Sequence, residues 1–225
     1  MTDADGCRQV RSEANRTGAG GLTSDRDPAD ASGVRDRRVP KEARRAPRLW
    51  GAREDEIRRA YPCDDLLGGP QEQWFRAVTV AAERPTVFRW LCQLKVAPYS
   101  YDLLDNSGRR SPRRLTPGVE QLEAGQRVMT IFRLVDFAVD EHMTLELDDP
   151  RGLRLFGDVA VTYAVAEEEP GTTRLLAKLV VGGEEGMLGR LRWPLMAWGD
   201  LFMMRRQLLT MRKLAERCPS PGPVG

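Results

Sequence analysis

The sequence predicts an α+β domain in which an antiparallel sheet carries one long helix across a face. Three observations lead there. From Gln126 to Gly182 apolar residues recur with period two, the signature of half-buried strands. The joints between those runs, DDPRG (148–152) and EEPG (168–171), are turn chemistry, which favours antiparallel neighbours. Beyond Leu188 the period lengthens to 3–4. Leu201, Met204, Leu208, Met211 and Ala215 mark one stripe, and Trp198, Phe202 and Leu209 widen it. A sheet with a single dominant helix buries its apolar face by laying that helix on it.

Taken in order, the elements begin after a tail. Residues 1–48 hold few large apolar residues, at no period, among Ala, Gly, Asp, Arg, Ser and Pro. Such a stretch buries too little surface to offset the entropy of ordering and reads as disordered. Residues 49–218 form the domain, and 219–225 a second disordered end. REDEIRRAYPCDDLLGGP (53–70) is a charged, helix-like lead-in. EQWFRAVTVAA (72–82) is a strand with Trp74, Val78 and Val80 on one parity. ERPTVFRWLCQL (83–94) starts near Pro85 and sets Val87, Phe88, Leu91 and Leu94 along one side of a helix. A loop punctuated by Pro98, Gly108, Pro112, Pro117 and Gly118 follows.

Strands then occupy QRVMTIFRLVDF (126–137) and HMTLELDD (142–149). RLFGDVAVTYAVAEEE (154–169) sets Val159, Val161, Tyr163 and Val165 on one face. GTTRLLAKLVVGG (171–183) sets Leu175, Ala177, Leu179 and Val181 against an outward Arg174 and Lys178.

Composition excludes several function classes. The 225 residues carry a net charge of +2, so no global field argues for nucleic acid. TGAGG (17–21) lacks the strand and helix that a dinucleotide fingerprint needs. Cys7, Cys63, Cys92 and Cys218 are scattered, and with the single His142 they make no zinc pattern. They read as free thiols of a reducing cytoplasm. No signal peptide opens the chain, and Met187–Met204 is too interrupted by charge and proline to span a membrane. The Arg-rich, Lys-poor composition suggests a high-GC genome and a translation start nearer Val34 or Val39 than Met1.

Four stretches, YPCDDL (61–66), QLKVAPYSYDLLDNSGRRSPRRLTPG (93–118), RLFGDVAVTY (154–163) and WGDLFMMRRQLL (198–209), carry a family resemblance. With the element order, they resemble the START-like helix-grip (SRPBCC) superfamily. The branch is that of polyketide cyclases/dehydrases and lipid-transport proteins, in a subfamily of actinobacterial type. The resemblance runs from about Arg53 to Arg217. It implies a curved antiparallel sheet gripping the C-terminal helix around a hydrophobic cavity for lipids, polyketides, hormones or similar molecules. It implies no metal, no tight cofactor and no single reaction, since a fold shared this widely does not fix chemistry.

Within that frame the expected ligand contacts are Tyr99, Tyr101, Trp198, Phe202 and Met196, as walls and mouth of the cavity. Asp158, an acid among small and apolar neighbours, is expected to pair with Arg133. These two and Tyr101 are the weak catalytic candidates. Asp102 and Asp105 offer a general base if burial raises a carboxyl, but DNSG (105–108) reads better as a tight turn. Arg109, Arg110, Arg113 and Arg114 suit either a phosphate grip or a solvated flank, and the flank is the simpler account. His142 is expected in a surface turn and Cys92 in the core.

The leading expectation is therefore binding or carriage of a small hydrophobic ligand. The alternatives are an aromatase/cyclase-like enzyme acting on a polyketide, and an interaction protein that docks its basic loop and Trp193 region on a membrane or macromolecule.

Overall fold

The computed structural model describes residues 46–69, 71–100, 110–182 and 187–218, with side chains from 193 onward in the last segment. The expected disordered tail and C-terminal end, apart from residues 46–48, lie outside the described residues, as do Tyr101, Asp102, Asp105, Asn106 and Arg109.

Seven strands form one sheet: β1 (Leu49–Trp50), β2 (Gln71–Val80), β3 (Arg127–Val128), β4 (Phe132–Ala138), β5 (His142–Leu147), β6 (Val159–Glu169) and β7 (Thr172–Gly182). Their spatial order is β1-β2-β7-β6-β5-β4-β3. All pairings are antiparallel except the two-residue β1, which runs parallel to β2. The helices are α1 (Glu54–Arg58), α2 (Arg84–Cys92), α3 (Pro150–Phe156) and the 29-residue α4 (Met187–Ala215).

The period-two alternation assigns each strand residue to a face. Trp74, Val78, Val161, Tyr163, Leu175 and Leu179 point to the inner face, where they pack with Phe88 and Leu91 of α2 and Met204, Leu208 and Met211 of α4. The outer face carries Phe75, Ala77, Ala160, Leu176 and Val180. It is covered by the lead-in segment through Ile57, Tyr61 and Cys63. That cover approaches closely at Gly51, where φ is +72° and a Cβ would stand 2.2 Å from the Ala77 carbonyl oxygen. Only glycine fits.

Two expectations are corrected here. DDPRG is not a plain turn into a strand that starts at Arg154; it begins α3. The Asp149 carboxylate accepts the backbone N–H groups of Arg151 and Gly152 at 3.0 and 2.8 Å, and Pro150 opens the first turn. Gly157, with φ +77°, ends the helix. Also, Lys178 does not face solvent: it is buried under the lead-in segment.

Candidate functional site

The inner face is not uniformly apolar. Arg76 shares the inward parity of Trp74 and Val78, and its guanidinium is wholly buried under α4. One terminal nitrogen lies 2.8 Å from the Asp200 carboxylate, and the other donates to the Arg48 carbonyl at 2.8 Å. Its Nε–H has no partner among the described residues. Burial pushes the Asp200 carboxyl up to about 6, with the Arg76 charge and hydrogen bond drawing it back. Burial likewise lowers Arg76, against the pull of Asp200.

About two helical turns further along α4, Tyr163 of β6 donates to Gln207 Oε1 at 2.7 Å. Gln207 Nε2 in turn donates to the Pro98 carbonyl at 2.6 Å. Burial drives the Tyr163 phenol above its ordinary range, so it stays a neutral donor. This relay links sheet, helix and the start of the Pro98–Ser100 loop. Gln93, which opens a 3₁₀ turn following α2, holds the loop's other side. It donates to the Tyr99 hydroxyl at 2.9 Å and the Arg114 carbonyl at 3.0 Å, and accepts the Thr116 N–H at 3.0 Å. Tyr99 is in the left-handed region (φ 58°), its ring edge-on to Trp90 at 6.3 Å. A non-glycine residue held there needs such over-determined packing.

Between this loop and α4 lies a recess of about 400 Å³. Tyr99, Ser100, Phe202, Leu209 and Leu214 supply its apolar and neutral wall. Among the described residues its charged lining is five cations, Arg113, Arg205, Arg206, Lys213 and Arg217, with no carboxylate. Arg206 donates to the Ser100 carbonyl at 3.2 Å, and Arg205 stacks 5.6 Å from the Trp50 ring. The side chains of Arg113, Lys213 and Arg217 make no ion pair with a described residue. A second recess of about 410 Å³ sits at the outer face, lined by Arg59, Tyr61, Arg84, His142 and Thr162 among others.

The residues singled out in the sequence fall in different places. Tyr99 and Phe202 meet across the basic recess. Tyr101 lies outside the described residues. Met196 is half-buried against the core, while Trp198 and Phe202 are exposed, so they do not wall a space between sheet and helix. The helix phase explains this. Ala197, Leu201, Met204, Leu208 and Met211 face the sheet, and Trp198 and Phe202 sit on the flank turned to solvent.

The Asp158–Arg133 pair is not formed. Asp158 is exposed in the turn before β6, and Arg133 bonds Glu146 directly opposite on β5 at 2.9 Å, with Asp148 at 3.7 Å. His142 opens β5 instead of sitting in a turn, and its Nε2 lies 2.9 Å from Asp136. Cys92 is buried. Arg76, Asp200, Tyr163 and Gln207 were not singled out. The available signal was a charge on the apolar parity of β2 and another on the apolar stripe of α4.

An antiparallel sheet with a long C-terminal helix packed on one face is a helix-grip architecture. No protein-family model matches the chain, and no curated protein matches it in sequence. Among solved structures it is similar to norcoclaurine synthase from Thalictrum flavum in complex with dopamine and hydroxybenzaldehyde. Identity there is 14%, over 67% of this chain and 90% of that one, with a TM-score of 0.44. A Mesorhizobium loti protein is 12% identical over 66% of this chain and all of its own, at 0.43. The Zhui aromatase/cyclase from Streptomyces sp. R1128 is 14% identical over 66% and 95%, at 0.36. No helix among the described residues is long and apolar enough to cross a membrane.

Proposed function

We propose that the protein binds a small amphipathic molecule, with an acidic group in the basic recess beside α4 and an apolar portion against Tyr99, Phe202, Leu209 and Leu214. The observation that carries this reading is the described lining of the recess: five cations, with no carboxylate among the described residues, beside an aromatic and aliphatic wall. Guanidinium groups hold carboxylates and phosphates in a forked geometry, and an apolar flank adds area-dependent affinity. The small hydrophobic ligand expected from the sequence thereby acquires a charged end, such as that of a fatty acid or an acidic polyketide.

Oleate and its neutral counterpart, oleyl alcohol, test this by native mass spectrometry and calorimetry on the full chain. Oleate should bind more tightly, and Arg113→Gln with Arg217→Gln should weaken it about tenfold, the loss expected for one or two charge-assisted contacts. Equal binding of the alcohol, or an unchanged oleate affinity in the double variant, refutes the acidic subsite.

The cyclase reading has one observation in its favour. A carboxyl held at about 6, Asp200, lies inside the fold, where a general base is useful near neutral pH. In the resting structure Arg76 occupies that carboxylate, so ligand entry has to loosen the pair before a proton moves. Turnover of an aromatic polyketide analogue that survives Asp200→Asn excludes this role.

A further inference from the structure

We propose that the solvent-facing flank of α4 is a docking surface for an anionic phospholipid bilayer, which the protein meets peripherally. Leu195 is 76% exposed, Trp198 46%, Phe202 59% and Met203 38%. Leu195, Trp198 and Phe202 are spaced i, i+3, i+7, so they form one ridge along the first described half of the helix. The Trp198 and Phe202 rings lie against each other, 6.2 Å between centroids. No described residue buries this ridge.

Continuing along the same flank, the helix presents Arg205, Arg206 and Lys213, and Arg217 follows in the turn after it, all exposed, with Arg113 of the neighbouring loop beside them. From Trp193 to Cys218 the acids are Asp200 and Glu216. Asp200 is turned inward to Arg76. Glu216 is engaged by the Ala81 N–H at 3.1 Å and by Arg212 at 3.7 Å. The flank is thus an aromatic–aliphatic ridge continued by a cationic strip, and the two acids on the same stretch are turned to Arg76, Ala81 and Arg212.

That combination fits one occupant best. An amphipathic helix with Trp, Phe and Leu on the face that meets lipid and Arg or Lys beside them lies in the plane of a bilayer interface, and basic residues add attraction to anionic head groups. Indole and phenyl rings suit the head-group level. Charge complementarity selects an anionic surface. The surface shares Phe202 and its cations with the acidic-ligand recess, and Leu195 and Trp198, which do not line that recess, separate the two readings.

Co-sedimentation of the full chain with vesicles of phosphatidylcholine alone, or with phosphatidylglycerol added to one third, tests it. Binding should require the anionic lipid, fall at least tenfold in 0.5 M salt, and fall at least tenfold in Leu195→Ser/Trp198→Ser. The double variant should melt as the parent does and keep its oleate affinity. If it keeps vesicle binding and loses only oleate, or if both lipid mixtures bind alike, the proposal is wrong. A ridge-dependent dimer in sedimentation velocity, with no vesicle binding, assigns the flank to a second copy and also overturns it.

Discussion

Two buried ion pairs lie on opposite faces of the same sheet, and they are built differently. On the outer face Lys178 Nζ meets Asp64 at 2.5 Å, both side chains almost wholly buried. The ammonium also sits over the Tyr61 and Phe75 rings at 5.2 and 5.1 Å, and Asp64 accepts the Tyr61 N–H at 2.9 Å. On the inner face Arg76 meets Asp200 with its Nε–H unpartnered among the described residues, and the Asp200 side chain is 16% exposed. The outer pair is enclosed by several partners and fixes the lead-in segment to the sheet. The inner pair joins the sheet to α4 with a residual mismatch, close to the exposed ridge and the basic recess. Enclosure marks a lock; the mismatch and raised carboxyl mark a contact that can be loosened.

The largest effect should come from breaking the lock. Lys178→Met alone should cost about 3–5 kcal/mol in urea unfolding, since it strands the Asp64 carboxylate. Lys178→Met with Asp64→Leu should recover most of that. A single-variant cost below about 1 kcal/mol would remove the contrast between the faces.

Asp200→Ala should cost less, about 1–3 kcal/mol, because the Asp200 side chain is partly exposed and its removal opens the buried guanidinium to water. The pH dependence has a definite sign. A carboxyl raised from about 4 in the unfolded chain to about 6 in the fold binds its proton more tightly when folded. Its contribution is therefore greatest below pH 4 and falls as pH rises to 6, at up to about 1.4 kcal/mol per pH unit. Stability profiles of the parent and Asp200→Asn should differ by this slope in that window; parallel profiles would place Asp200 in ordinary solvent.

Gly51→Ala tests the outer cover without touching a charge. It should cost about 1–3 kcal/mol from the positive φ and the clash with the Ala77 carbonyl. The smallest effect belongs to the ridge. Trp198→Ser should change stability by no more than about 0.5 kcal/mol, as for an exposed side chain outside the core. A larger loss would mean the ridge is structural.

Much of the architecture was legible in the sequence. The alternation of Val159, Val161, Tyr163 and Val165 placed the inner face, and the Leu201–Met204–Leu208–Met211 spacing placed the buried side of α4. The helix after Asp149 was missed because a proline-bearing turn and a capped helix start share the same residues. The site was less legible. Trp198 and Phe202 widened the apolar stripe in the sequence, and a wheel of side chains does not say which flank of the stripe meets the sheet. Tyr99 was singled out, yet its place depends on Gln93 and Trp90, which hold a left-handed backbone that no local pattern announces.

The sequence by itself determined the periods: which stretches become strands, which become helices, and the parity of each strand. Those follow from backbone geometry and act over a few residues. The tertiary structure alone decided which charges are buried and which large apolar side chains are not. Lys178 looks outward by parity and is covered only because the lead-in chain returns across it. Arg76 meets Asp200 across 124 residues of sequence. Partners that distant are chosen by how the chain packs back on itself, and the free energy of an ion or an exposed indole is set by what surrounds it.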